Sequence, residues 1–468
     1  MAVLSDLPDE TLERVVEFIT NDRESLDNVS LVNSRFDKIV FPLPVRTWSN
    51  SQESAEPSIA LFALHLLRHP ELRKQVQSLD LGYLRPFHEP PLDSELSPEH
   101  LTALANAAAQ DVALPEAWLE KLCSQIRQGC EDALAVLILA WSTRLTQLSI
   151  TTPHFDPEFG CDFMLLIFTK KAVYRLLDKT GEMEVPLQQV RHVTFQSWNR
   201  LQDIGRSYAR MFFHLPMIKT ITTHEISDDM DERIDDDRTP TSVLQNYGLS
   251  LPIGLSTVQE LIMTRSGLLG CGLSKFISAC RPLEKVVIHV DHDLANGAMP
   301  DQEELASALM RHKRSLTELH LDMDGWGCSA SSHCIRPGIG PILQDLYQSL
   351  SSIRGLTMTI SHLFDDTPPG DEESIKIKLD RIPRSTHSLK LHCRSYIENW
   401  TSNDVFMEPY LEGVIELLEE AGPQGQLSEL RVFDLSEAFV DDTSMVDIRK
   451  IKEQAEFSGV KILLCTQK

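Results

Sequence analysis

Leu316-Thr317-Glu318-Leu319-His320-Leu321 spaces its three leucines as apolar-x-x-apolar-x-apolar. The last three positions alternate apolar, polar, apolar, which is the period of a strand with one buried face. The spacing recurs along the chain. It appears at Val76-Leu79-Leu81, Leu145-Leu148-Ile150, Val190-Val193-Phe195, Ile218-Ile221-Thr223, Val258-Leu261-Met263 and Leu283-Val286-Ile288. Beyond the opening example it returns at Ile353-Leu356-Met358, Thr386-Leu389-Leu391, Leu427-Leu430-Val432 and Phe457-Val460-Ile462. Helical periodicity fills several of the gaps, over residues 273–280, 302–312, 342–350, 411–421 and 445–457. Strand then helix, repeated, marks a solenoid whose units bury their apolar faces on one another. The same alternation also fits a flat, doubly wound α/β sheet.

This part of the chain, residues 75–468, resembles a leucine-rich-repeat array in a degenerate form. The repeat periods are about 25 to 45 residues, against the family's roughly 20 to 29, and the family's Asn/Cys position is not systematically filled. The resemblance implies parallel strands on a concave face and helices on the convex side. The fold class expected is therefore α/β. The residues between the apolar anchors would line the concave face: His192, Thr194 and Gln196, Glu260 and Ile262, Lys285, Val287 and His289, Glu318, His320 and Asp322, Thr357 and Thr359, Lys390 and His392, Arg431 and Phe433. A helical insert at about 85–141 interrupts the repeats, with helices expected over 97–111 and 115–141. The charge run at 227–238 and the Pro/Gly/acid stretch at 364–374 read as exposed loops.

Residues 4–48, LSDLPDETLERVVEFITNDRESLDNVSLVNSRFDKIVFPLPVRTW, read differently. Pro8 suits a first helical turn, and Asp9 and Glu10 complement the positive end of the helix dipole. Leu12, Val15, Val16 and Ile19 then form one apolar stripe. A second periodic run, from Leu26 to Val40, ends before Pro42 and Pro44. Three short helices fit, and a module of this size leaves apolar residues in need of a partner or of the rest of the chain. The order Leu7-Pro8-Asp9-Glu10-x-Leu12, followed by Leu31-Val32-Asn33-Ser34-Arg35-Phe36, resembles a fungal-type F-box over residues 1–48. Phe36 stands where many members have Trp, and Asn33-Ser34 replaces the usual Cys/Ser-Arg/Lys pair. The resemblance implies that Leu7, Pro8, Leu12, Val15, Ile19, Val32 and Phe36 contact a Skp-family adaptor. Leu12 and Phe36 are given to that adaptor, while Val16, Ile39 and Val40 are expected to pack internally. Residues 49–74 read as a linker and a connecting helix.

The composition narrows the function classes. Lys and Arg number 44 against 69 Asp and Glu, a net charge of −25, which repels phosphate backbones and anionic membranes. Nucleic acid and membrane partners are not expected. The nine cysteines form no C-x-x-C pair, so neither a disulfide framework nor a zinc ribbon is indicated. With no apolar run long enough for a bilayer, cytoplasm or nucleus is the expected location.

No catalytic signature stands out, and no cofactor or metal site is expected. Residues 267–275 lack the spacing of a phosphate loop, and 228–237 lack the turn Gly and terminal Glu of a calcium loop. His289-Val-Asp291-His292-Asp293 carries metal-capable side chains, but alternate strand positions face opposite ways. Candidate target-binding residues are Trp198, Arg265, His289, His320, Trp326 and His392, the aromatic, Arg and His positions on or beside the strands. The expectation is a non-enzymatic, substrate-recognition subunit of an SCF-type (Skp–cullin–F-box) ubiquitin ligase, linking an adaptor and its cullin-RING ligase to an unknown target protein. A non-degradative Skp-binding scaffold is the alternative, and an α/β enzyme the remote one.

Overall fold

The structure is a computed structural model and describes residues 7–17, 23–32, 34–41, 43–50, 58–85, 96–152, 163–178, 184–197, 204–227, 251–267, 271–290, 302–322, 346–359, 363, 377–392, 407–437 and 445–464. The chain divides into two compact units, Met1–Gln202 with His214–Ile218, and Asp203–Phe213 with Lys219–Lys468.

The first unit begins with four short helices, α1 (Asp9–Glu17), α2 (Arg23–Ser30), α3 (Ser34–Val40) and α4 (Leu43–Arg46), leading into strand β1 (Thr47–Ser49). Leu12, Val16, Phe36, Ile39, Val40 and Leu43 form the core of this group, with Leu7 and Val29 packed partly against it. Pro44 lies inside α4 rather than ending the helical stretch, because the first turn of a helix has no use for its missing N–H. Next come α5 (Ile59–Arg68), β2 (Ser78–Tyr83), α6 (Pro98–Asp111), α7 (Glu116–Arg127), α8 (Glu131–Trp141), β3 (Gln147–Thr152), α9 (Met164–Asp178) and β4 (His192–Ser197). Residues 115–141, expected as one helix, are two. Gly129 breaks them at φ +77°, with Cys130 N–H donating to Gln125 C=O at 3.0 Å and Gly129 N–H to Ile126 C=O at 2.9 Å. That pair of bonds is the Schellman ending, and glycine takes its left-handed position without steric cost. Helix α8 is buried on every side from Ala133 to Leu139, as an apolar run without a polar face requires.

Strands β1 to β4 pair in chain order, all parallel. Trp48, Leu79, Leu148 and Val193 stand side by side across them, so the middle residue of each apolar triplet occupies one row. The triplets did not foresee β1, which follows the three helices expected in the N-terminal segment.

The second unit contains β5 (Ile204–Gly205), helix α10 (Arg206–Phe212), β6 (Thr220–His224), β7 (Ile226–Ser227), β8 (Glu260–Ser266), β9 (Lys285–Val290), β10 (Glu318–Asp322), β11 (Gly355–Thr359), β12 (Ser388–His392), β13 (Val432–Glu437) and β14 (Lys461–Leu463). Helices Cys271–Ala279, Gln302–Met310, Met407–Glu420 and Met445–Ser458 lie between them in sequence. Strands β5 and β7 pair with each other; among the described residues the rest follow the order β6-β8-β9-β10-β11-β12-β13-β14, parallel throughout. A doubly wound sheet reverses its order part-way. Among the described strands neither unit's order reverses, which is consistent with a solenoid-like stacking of strands and helices.

The second unit has its own central row: Ile221, Leu261, Val286, Leu319, Leu356, Leu389, Phe433 and Ile462. It corrects two triplets. The repeat at β13 is Leu430-Phe433-Leu435, all buried, and not Leu427-Leu430-Val432. Two overlapping triplets fit that sequence, and only pairing with Leu389 selects between them. Phe433 is therefore core, not a recognition residue. At β14 the row passes through Ile462, and Phe457 is 86% exposed on the preceding helix. Strand entry follows one backbone rule: two successive N–H groups donate to one carbonyl of the preceding repeat. Thr317 and Glu318 donate to Glu284 C=O at 2.8 and 3.1 Å, and Arg354 and Gly355 to Thr317 C=O at 2.8 and 3.0 Å. Backbone bonding of this kind needs no particular side chain, which explains how the repeats persist without a regular Asn position. No helix among the described residues is long and apolar enough to cross a membrane.

Candidate functional site

With Leu319 and Leu321 of β10 directed into the core, His320 and Asp322 take the opposite face. Register then decides their neighbours. Asp322 stands beside His289 of β9, and His320 is flanked by Val287 of β9 and Thr357 of β11. On β12, His392 lies beside Thr359 of β11. Three histidines and one carboxylate, from three strands spread over about a hundred residues of sequence, thus share one patch of the sheet.

The distances are short. His289 Nδ1 lies 3.2 Å from Asp322 Oδ2, and His392 Nδ1 lies 3.9 Å from Asp322 Oδ1. The His289 and His320 rings are 4.3 Å apart between centroids, and those of His320 and His392 are 5.5 Å apart. One ligand-capable atom each from His289, His320 and Asp322 fall within 4.8 Å of one another. Asp322 and His392 are buried, while His289 keeps 23% of its side chain exposed, so the group opens to solvent on the His289 side. His320 Nε2 is buried with no hydrogen-bond partner among the described residues. Burial, reinforced by His289 and His392 and opposed by Asp322, pushes the His320 pKa down to about 3. Its ring is neutral at physiological pH and offers a nitrogen lone pair. Two ion pairs flank the patch, Lys285 with Glu318 and Lys390 with Glu437, each at 2.7 Å. The chemistry available is that of proton sharing or cation binding.

The other expected site residues are scattered. Arg265 pairs with the buried Glu225 carboxylate at 2.8 Å. Both residues have positive φ, +52° and +56°, so the pair holds an uncommon backbone conformation in place and Arg265 is engaged within its own unit. Trp198 and Trp326 lie outside the described residues, as do the two loops expected at 227–238 and 364–374, apart from Ser227. Asp322 was expected on the recognition face but not as a site residue. The signal available was its spacing two positions after His320; the partnership with His289 depends on register and could not be read from spacing.

At the N-terminal helices, Leu12 and Phe36 are buried in the module's own core, with Val16, Ile39 and Val40. Both were expected at a partner's surface; in the module they serve its own core, since a cluster this small uses its largest apolar side chains to close itself. Pro8 is exposed and Leu7 half-buried. Val15 and Val32 are 43% and 63% exposed, and Leu31, not singled out beforehand, is 82% exposed. Ile19 lies outside the described residues. Arg35 donates to Leu7 C=O at 2.6 Å and pairs with Asp9, tying α3 to the start of α1.

The described thiols Cys123, Cys130 and Cys280 are buried. Burial pushes the Cys130 thiol up to about 12 and raises those of Cys123 and Cys280. None is a thiolate at neutral pH, so none is suited to nucleophilic attack. No protein-family model matches the chain, and no curated protein matches it significantly.

Proposed function

We propose that this chain is a substrate-recognition subunit of an SCF-type ubiquitin ligase, with an F-box at its N-terminus and a leucine-rich-repeat-like array after it. The observation that carries the reading is a mismatch within the N-terminal helices. They close a core of their own, yet leave Val15, Leu31 and Val32 facing solvent. Apolar side chains left outside a closed core suit a docking surface, here for a Skp-family adaptor in a cullin-RING ligase. On this reading Pro8, Val15, Leu31 and Val32 touch the adaptor, and Leu12 and Phe36 hold the helices that present them.

The array supports the second half of the proposal. Its polar strand face, with His289, His320 and His392, would hold a target protein. The chain itself performs no covalent step, and its contribution is proximity and orientation. Cytoplasm or nucleus is where such a complex would act.

Co-purification of the tag-free chain with an endogenous or recombinant Skp-family adaptor and cullin tests this. Wild type recovers both, and Val15→Asp with Val32→Asp lowers adaptor recovery at least about tenfold at unchanged circular dichroism, since a charge at an apolar interface core is strongly disfavoured. Failure of the wild-type chain to recover the adaptor overturns the proposal. If the adaptor is recovered but the half-lives of array-bound proteins do not change on removing the N-terminal helices, the chain is a non-degradative scaffold.

A further inference from the structure

The geometry points to a mononuclear site for a divalent transition-metal ion of the zinc type, with His289, His320 and Asp322 as ligands and His392 set behind Asp322. The inference does not rest on the adaptor reading.

Donor set and spacing carry it. Two imidazoles and one carboxylate are a familiar ligand set for zinc and for related first-row divalent ions, and three protein ligands leave a fourth position for water or an incoming group. Bonds of roughly 2.0–2.1 Å in a tetrahedral shell place ligand atoms about 3.3 Å apart. His289 Nδ1 and Asp322 Oδ2 already stand at 3.2 Å, and the third ligand atom is within 4.8 Å of both. Closing the triangle from 4.8 Å to about 3.3 Å is left to a side-chain adjustment at His320. His320 Nε2 is a buried nitrogen without a hydrogen-bond partner among the described residues. A buried imidazole nitrogen costs free energy when nothing satisfies it, and a cation satisfies it directly. His392 Nδ1 lies 3.9 Å from the other Asp322 oxygen, beyond hydrogen-bond reach, and orients the ligating carboxylate once that gap closes.

Strand geometry explains the precision. The ligands project from β9 and β10, whose backbones are locked in parallel register from Lys285–Glu318 to His289–Asp322. Sites built on strands hold their side chains more accurately than sites on loops. The opening beside His289 lies on the polar strand face, where the fourth position is reachable from solvent.

The test uses the full-length, tag-free chain after chelator treatment and exhaustive dialysis. Zn2+ and Co2+ are titrated, with metal content by mass spectrometry and the visible spectrum of the Co2+ form. Expected are one ion per chain, an intense tetrahedral Co2+ spectrum without a thiolate charge-transfer band, and a higher Tm in the metal-loaded protein. His320→Ala and Asp322→Asn each weaken Zn2+ binding at least about 100-fold, His392→Ala weakens it roughly 10- to 100-fold, and His192→Gln, an exposed histidine elsewhere, leaves it unchanged. Absence of stoichiometric binding by wild type overturns the proposal, and then a proton, not a metal ion, joins His289 to Asp322. A thiolate band, or binding that survives His320→Ala and Asp322→Asn, overturns it equally. Because the decisive measurement is made on wild type, a variant that fails to fold does not blur the outcome.

Discussion

Asp132, near the start of α8, receives the N–H groups of Met164 at 2.6 Å and Leu165 at 3.0 Å on its two carboxylate oxygens. It thereby caps α9 from another helix, satisfying donors that the helix cannot satisfy itself. Burial raises its pKa to about 7 against the pull of those two hydrogen bonds. The sign follows from linkage. Between about pH 4 and 7 the folded chain holds a proton on this carboxyl that the unfolded chain has released, so its contribution to stability is full below pH 4 and is lost as pH rises through 7. The slope is at most about 1.4 kcal/mol per pH unit. Urea unfolding from pH 4 to 8 should show this component in wild type and not in Asp132→Asn. Asp132→Ala, which strands two buried N–H groups, should cost about 2–4 kcal/mol at pH 4 and less as pH rises toward 7, read from the same titrations.

Elements fail by different routes. In the N-terminal module, Leu12→Ala or Phe36→Ala opens a cavity in a core of six buried residues and should cost about 2–5 kcal/mol. Hydrogen exchange should report that loss across α1 to α3, and adaptor capture should fall with it. Val15→Ala and Val32→Ala touch no core and should change stability by no more than roughly 0.5 kcal/mol, while still lowering adaptor capture. This split separates residues that build the module from those that present it. The sequence pattern sets the helical stripes but cannot make that division. Leu12, Val15 and Val16 all lie on one apolar stripe, yet only Leu12 and Val16 are covered by α3 and its neighbours. The break between α7 and α8 was legible in principle from Gly129, but good helix formers on both sides hid it. Gly129→Ala has room for its methyl and must still adopt φ +77°, so a cost of about 1–2 kcal/mol is expected in thermal melts.

At the scale of the whole molecule, the repeats in the second unit form a ladder in which each strand leans on the two beside it. Stability in such arrays is close to a sum of nearest-neighbour terms, and end repeats are held from one side only. Amide exchange should therefore be fastest at β14, a three-residue strand whose side chains are only partly covered, and slowest in β9 to β11. Leu319→Ala, in the centre of the ladder between Val286 and Leu356, should lower protection on both neighbouring strands as well as its own. The net charge of −25 adds a salt-dependent expectation: a basic partner should associate faster at low ionic strength, and a neutral one should not.

Sequence alone determined that strands and helices alternate, because a period of two set against a period of 3.6 is written locally and repeated often enough to be read. It placed β2, β3, β4, β6 and β8 to β12 to within a few residues, and it placed His289, His320 and His392 on the side of their strands away from the apolar anchors. Tertiary structure decided the rest. Which of two overlapping triplets forms β13 depended on pairing with Leu389, and whether Leu12 and Phe36 face solvent depended on which helices cover them. Above all, the convergence of His289, His320 and His392 on Asp322 required the register between strands separated by segments of about thirty residues. Register is a relation between distant parts of the chain, set by the packing of apolar rows, and no window of local sequence contains it.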